Sequence, residues 1–266
     1  MIKTIPLPAA RLRYFSRLTD KKFRSKEGVF LIEGLRAVSQ SLLHHKIDTM
    51  AVVFEEHTDL DTDIIHQHIP NETPVYIADN KSYTKITATE NSQGVVAICS
   101  IPDPVTLDSL LFSSSSFILA LDGIQDPGNL GTIYRTAAWF GADAVLLGEG
   151  CVDLFNPKTI RSTAGSVGTV PYVNVNLEQS LIKLHENGWQ TLSLELNDKA
   201  ASLFEVKPEF PCVLVVGNEA HGVSESIKDL TTPIFLPGNT DQVESLNASV
   251  AAAVAMSFFY QQIPKI

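Results

Sequence analysis

From residue 117 onward the chain alternates short uninterrupted apolar runs with longer segments whose apolar residues recur at helical spacing. The runs at 117–121, 144–147, 190–194, 212–216 and 233–236 predict strands, and the segments at 129–140, 157–164, 177–187, 224–229 and 245–262 predict helices. Strands that are apolar throughout and separated by helices predict an α/β fold with a mostly parallel sheet covered on both faces. Upstream the pattern is shorter. A helix is expected to open at Glu33-Gly34 and run to about 45, with short strands at 50–54 and 74–77, a helix near 59–68 between them and a buried strand at 94–99. This predicts a smaller α/β domain over 1–100. Prolines at 102 and 104 and the serine run 113–116 disfavour packed elements, so 101–116 is expected to be a linker and 117–266 the second domain. No internal repeat is evident.

A chain of 266 residues with 44% hydrophobic and 19% charged content is ample for a buried core and far from the composition of a disordered one. No apolar run approaches the roughly 18 to 20 residues of a membrane span. The most apolar stretch, 246–260, contains Asn247, Ser249 and Ser257 and predicts a buried helix. With no apolar leader, a soluble cytoplasmic protein without a membrane partner is expected. Cys99, Cys151 and Cys212 are odd in number and far apart, which indicates neither a disulfide framework nor a zinc knuckle. His66 and His68 stand two apart, so a helix does not place them on one face, and no metal is expected.

Charge changes the picture through its distribution. The net value of −10 argues against nucleic acid, yet residues 1–26 hold eight basic side chains (Lys3, Arg11, Arg13, Arg17, Lys21, Lys22, Arg24 and Lys26) against one acid, Asp20. A basic arm on an acidic body can hold phosphates through local charge and counterion release. A solvated amphipathic helix is the plainer alternative.

Three strand-to-helix junctions carry unusual polarity, and in doubly wound sheets ligands bind beyond the carboxyl ends of strands. After the first strand of the second domain comes Asp122-Gly123-Ile124-Gln125-Asp126-Pro127-Gly128-Asn129-Leu130-Gly131, with Arg135 one and a half turns into the helix. The segment lacks the Gly-x-Gly-x-x-Gly of a dinucleotide site, which disfavours a nucleotide-dependent oxidoreductase. After strand 212–216 comes Gly217-Asn218-Glu219-Ala220-His221-Gly222, a carboxamide and a carboxylate between glycines. His221 could serve as a base, although an exposed loop histidine is the simpler account. The third junction runs from Leu236 to Asn247, with Ser245 at the expected helix start, Asn247 in its first turn and then small residues, Ala251-Ala252-Ala253 and Ala255, which permit close helix packing.

At these junctions the sequence resembles the SpoU family of RNA 2′-O-ribose methyltransferases, within the SPOUT superfamily. The family's Asn-x-Gly-x-x-x-Arg is met by Asn129, Gly131 and Arg135, its Gly-Asn-Glu-x-x-Gly by Gly217, Asn218, Glu219 and Gly222, and its Ser-Leu-Asn-x-Ser-x-Ala by Ser245, Leu246, Asn247, Ser249 and Ala251. The stretches 24–34 and 93–97 resemble the small ribosomal-protein-L30-like substrate-binding domain of many members. Ala220 stands where glycine is common, and 236–246 is one residue longer than the usual form.

The resemblance implies a C-terminal trefoil knot, a homodimer with a composite site, and S-adenosylmethionine as methyl donor. It implies that Gly217, Asn218, Leu236, Leu246 and Ala248, with Leu194 at a strand end, hold the cofactor. It implies that Arg135, positioned by Ser245 and Asn247, acts at the ribose hydroxyl, with Asn129 and Glu219 orienting the groups. A free guanidinium stays protonated at pKa values above roughly 12, so an anchor for the target phosphate suits Arg135 better than the role of base. Arg11, Arg13, Arg17, Lys21, Lys22 and Arg24 are then expected to grip RNA, ribosomal RNA before tRNA. A non-catalytic RNA-binding or ribosome-assembly protein on the same fold is the alternative from another class.

Overall fold

The computed structural model describes residues 3–44, 46–58, 63–89, 93–111, 116–197, 199–239 and 241–264. The expected helix end at 45, the start of the 59–68 helix and most of the 113–116 serine run lie outside the described residues. The chain divides into two compact units, 1–103 with 153–169, and 104–152 with 170–266.

The first unit contains β1 (Thr4–Pro6), α1 (Ala9–Phe15), α2 (Lys21–Glu27), β2 (Val29–Glu33), α3 (Leu35–His44), β3 (Thr49–Glu55), α4 (Asp63–His68), β4 (Val75–Ala78), α5 (Asn80–Tyr83) and β5 (Val95–Ser100). Its sheet has the order β1-β4-β3-β5-β2, with β5 antiparallel to β2 and β3. Glu33 therefore ends a strand instead of opening a helix. Its neighbours Val29 to Ile32 are buried on both faces, which removes the alternation that marks a half-exposed strand. Helix α2 starts where Asp20 accepts the Phe23 N–H at 2.8 Å and stops at Gly28, whose φ of +64° a glycine adopts without strain. Phe15, Leu18, Phe23, Leu31, Val53, Tyr76, Tyr83 and Ile98 form one core.

The second unit begins with α6 (Leu107–Leu110), β6 (Phe117–Asp122), α7 (Pro127–Trp139) and β7 (Ala144–Leu147). The expected linker is thus in part a packed element. Thr106 caps α6, and Val105, Leu107, Leu110 and Leu111 lie against the core, so local proline is outweighed by apolar burial. The chain then enters the first unit as α8 (Pro157–Thr163). Arg24 pairs with Asp153, Arg161 stands 3.7 Å from Glu33, and a Cβ on Gly165 would come within 2.6 Å of Gln40. These contacts are why 153–169 belongs to the first unit although its periodicity continues that of the second.

The chain returns as β8 (Tyr172–Asn174), α9 (Leu177–Glu186), β9 (Gln190–Leu194), β10 (Ala201–Ser202), β11 (Cys212–Gly217), α10 (Glu225–Lys228), β12 (Thr232–Phe235) and α11 (Ala248–Gln262). The sheet of this unit is parallel throughout, in the order β10-β12-β9-β11-β6-β7-β8. Ile118 and Ala120 of β6 pack with Leu181, Leu184 and Trp189, while Phe117 stacks on Phe259 of α11 at 5.2 Å. Successive residues bury opposite faces, which explains the unbroken apolar runs. Strands β6 and β11 lie side by side, with Gly217 opposite Asp122, and from this pair the sheet grows outward in both directions.

Candidate active site

At that switch in strand order the turns after β6 and β11 are adjacent. Asp122 ends β6 and accepts the Ser224 N–H at 2.7 Å, and Asn218 donates through Nδ2 to the Gly123 carbonyl at 2.7 Å. Asn218 Oδ1 accepts the N–H groups of Ala220 at 2.9 Å and His221 at 3.2 Å, and its main chain exchanges two hydrogen bonds with Gly222. Every polar group of Asn218 is thereby engaged in shaping the turn. Alanine at 220 is compatible with it, because Gly222 takes the positive φ of +67° and Ala220 does not. Gly217 is required by space: a Cβ there would stand 2.2 Å from the Gly222 carbonyl carbon.

The three polar junctions meet through side chains. Asn129 donates through Nδ2 to Glu219 Oε1 at 2.7 Å, and its Oδ1 accepts from Asn247 Nδ2 at 3.0 Å. Asn129 is fixed by its own N–H, which donates to the cap residue Asp126 at 2.9 Å. Asn247 is fixed by Ser249, whose N–H and hydroxyl both donate to its Oδ1. Here the structure corrects the expected helix start. Asn247 is the cap of α11 and Ser245 precedes the helix, because an asparagine oxygen that satisfies free first-turn N–H groups is placed before the helix, not inside it.

Arg135 and Ser245 stand apart from this relay. Both are exposed, and the Arg135 side chain forms no hydrogen bond or ion pair among the described residues. Six residues of helix turn Arg135 about 120° away from Asn129. It shares an exposed stripe of α7 with Thr132 and with Trp139, which is 82% exposed. Of the positions expected to hold a cofactor, Leu194, Gly217 and Leu236 lie at or just beyond the carboxyl ends of the neighbouring strands β9, β11 and β12. Ala248 is buried at the start of α11, and Leu246 is 52% exposed. Asp122 and Gly123, which tie the first two junctions together, carried a signal in the sequence: a carboxylate and a glycine that end an apolar strand.

The basic arm needs one correction. Arg24 is 2% exposed, donates to the Leu18 and Thr19 carbonyls and pairs with Asp153, so it is structural and unavailable to a phosphate. Arg11, Arg13, Arg17, Lys21 and Lys22 are exposed, with the Arg17 guanidinium 4.0 Å from the centre of the Phe23 ring. The His66 side chain lies outside the described residues. Among those residues no group of three or more His, Cys, Asp or Glu is placed to hold a metal ion, and no helix is long and apolar enough to cross a membrane. Cys99, Cys151 and Cys212 are free thiols, and burial pushes Cys99 and Cys212 up to about 12.

The three junctions, 122–129, 217–224 and 236–247, contain five acidic residues and no lysine or arginine. An acidic set of groups of this kind is unsuited to a pyrophosphate. Carboxylates, carboxamides and main-chain groups at open strand ends do fit an adenosine attached to a sulfonium cation.

Comparison with known proteins agrees with this chemistry. Residues 116–257 match the SpoU rRNA Methylase family, and residues 9–97 match the MRM3-like substrate binding domain. The chain is 32% identical to the 23S rRNA (guanosine(2553)-2′-O)-methyltransferase RlmP of Bacillus subtilis, over 92% of this chain and 93% of that protein. It is 27% identical to the mitochondrial rRNA methyltransferase 3 of Mus musculus, over 89% of this chain and 68% of the relative. The AdoMet-bound rRNA methyltransferase from Sinorhizobium meliloti superposes with a TM-score of 0.83 at 25% identity, over 99% of each chain.

Proposed function

We propose, from the premise that this chain belongs to the SpoU rRNA methylase family, that it transfers the methyl group of S-adenosylmethionine to a ribose 2′-hydroxyl of ribosomal RNA. The observation that carries this reading is the relay Asn247–Asn129–Glu219, which joins the three junctions into one site.

The bound sulfonium supplies an electrophilic methyl carbon. The main chain of Gly217, Leu236 and Leu246, with Leu194 and Ala248, holds the adenosine, and the carboxylates of the junctions favour the cation. Asn129 fixes one oxygen of Glu219 and leaves the other free to orient the ribose. Alignment of acceptor oxygen, methyl carbon and sulfur is the main demand of the reaction, and a pre-formed relay meets it without reorganisation at the moment of transfer. The Arg135 guanidinium anchors the phosphate of the target nucleotide and lowers the cost of an incipient alkoxide, with Ser245 assigned to position it.

Arg135 lies outside the relay in one chain, which suits a composite site completed by a second copy. Helix α11 supports the homodimer. It is apolar on nearly every side, yet Val250 and Tyr260 are 49% and 55% exposed, and Trp139 on the adjacent α7 is more exposed still. The exposed cations Arg11, Arg13, Arg17, Lys21 and Lys22 grip RNA in the segment similar to a substrate-binding domain. The trefoil knot belongs to the same reading. Its support is the path of the chain, since β12 lies beyond β9 while α11 returns to pack on α7 and β11. A cytoplasmic location belongs to the same reading, since that is where ribosomal RNA lies in a bacterium such as the source of the RlmP relative.

The test uses S-adenosylmethionine with a tritiated methyl group and RNA from cells lacking the gene. Hydroxide cleaves RNA only beside a free 2′-hydroxyl, so ribose methylation leaves label in alkali-resistant dinucleotides. Such label is expected in ribosomal RNA. Label in mononucleotides, or no label, would refute the activity, and label confined to tRNA would replace the substrate.

A further inference from the structure

Among the exposed cations given above to RNA, one is seated on an aromatic ring. The Arg17 guanidinium lies over Phe23, 4.0 Å from the ring centre, a spacing at which the two groups stack. The ring beneath it is fixed. Phe23 is 8% exposed within the core, and Tyr14 meets it edge-on at 5.4 Å. The backbone that carries Arg17 is fixed as well. It belongs to the short 3-10 turn Ser16–Thr19, where the Asp20 N–H donates to the Arg17 carbonyl at 3.0 Å. The buried Arg24 donates to the next two carbonyls, Leu18 at 2.9 Å and Thr19 at 2.8 Å, so the turn is held from inside.

The guanidinium itself remains open. The Arg17 side chain is exposed and forms no hydrogen bond or ion pair among the described residues. Asp20, the one acid of residues 1–26, is engaged at the start of α2, where it accepts the Phe23 N–H. We propose that Arg17 is a stacking platform for an unpaired nucleobase of the RNA, the outer face of its guanidinium taking the base and its edge N–H groups the adjoining phosphate. The proposal rests on the reading of the basic arm as an RNA grip.

A guanidinium keeps its N–H donors in its own plane, so seating one face on a ring leaves the edge and the opposite face available. A tetrahedral phosphate uses only the edge. A planar base uses the face. Bases in a duplex have their faces covered by their neighbours, so the segment that meets Arg17 is single-stranded. A side chain already held between a core ring and a locked turn loses little freedom on binding. Arg13 and Lys21, exposed before and after it in the chain, supply cations for phosphates of the same strand.

Fluorescence anisotropy of the full-length protein at low salt tests this with two probes of equal backbone charge. One is oligoadenylate of about twelve nucleotides, within the span of a single-strand site. The other is an oligomer of the same length without bases. The unsubstituted protein is expected to prefer oligoadenylate by about tenfold, the scale of one stacked base. Arg17→Lys keeps the charge and loses the plane. It should remove most of that preference while leaving the thermal midpoint, the affinity for the baseless oligomer and its salt slope as they were. Equal weakening of both oligomers would reduce Arg17 to a phosphate contact and overturn the inference. A preference that survives the substitution, or that the unsubstituted protein lacks, would overturn it too. Failure of the unsubstituted protein to bind either oligomer would overturn the RNA grip itself and the inference with it, a result told apart by the chain in which it is seen.

Discussion

Asn129 donates to Glu219 at 2.7 Å across 90 positions of chain and accepts from Asn247 at 3.0 Å. One carboxamide thereby uses its donor and its acceptor to join two loops that leave different strands. The arrangement is directional: Asn247 donates to Asn129, Asn129 donates to Glu219, and the relay ends on a carboxylate with one oxygen unengaged among the described residues.

The Arg135 side chain takes no part in this relay and makes no hydrogen bond or ion pair among the described residues. Arg135→Ala is expected to leave the melting temperature and the affinity for S-adenosylhomocysteine unchanged while lowering methyl transfer by about a hundredfold or more, the scale of removing one charge that stabilises a transition state. Single-turnover kinetics beside calorimetry checks this. Near-normal transfer would remove Arg135 from the site.

Gly217 makes the opposite prediction. A Cβ there meets backbone, the Gly222 carbonyl carbon at 2.2 Å and the Val223 nitrogen at 2.3 Å, which no rotamer change relieves. Gly217→Ala should cost about 1 to 3 kcal/mol or more in a denaturant melt and weaken the cofactor by reshaping the turn. An unchanged midpoint would mean that the turn is looser than described.

The basic arm divides into two kinds of residue. Arg24→Ala leaves Asp153 without its partner and should destabilise the fold by about 3 to 5 kcal/mol. Alanine at Lys21 and Lys22 should shift stability by no more than about 0.5 kcal/mol. The lysine variants should also lower RNA affinity, and the slope of log K against log salt should fall by about one for each phosphate left without its cation. Equilibrium unfolding and a salt titration distinguish the two classes.

Trp139, 82% exposed, has little to lose within its own chain. Trp139→Glu should leave thermal unfolding of an isolated chain unaltered and convert a dimer into a monomer by light scattering. A dimer that persists at micromolar concentration would place the interface elsewhere.

Much of the second unit was legible because its strands are buried on both faces. The runs at 144–147 and 190–194 coincide with β7 and β9. The relay was legible as residue types, since Asn129, Glu219 and Asn247 each interrupt an apolar or glycine-rich context. That they bond to one another was not, because the pairings span 90 and 118 positions and depend on strand order. The short edge strands β1 and β10 carry too few residues to show a period. Arg24 was misjudged for a different reason. Its neighbours Lys21, Lys22 and Lys26 are exposed, and nothing local reveals that its own side chain turns inward to Asp153.

A double-substitution cycle of Asn129→Ala and Glu219→Gln, read as the rate of single-turnover methyl transfer to RNA, bears most directly on the claim that the three junctions work as one site. Residues that act as a unit are strongly non-additive. Each single variant should therefore lose about as much as the double. Losses that multiply, with the double variant slower by the product of the two single factors, would show Asn129 and Glu219 acting independently and would contradict the account.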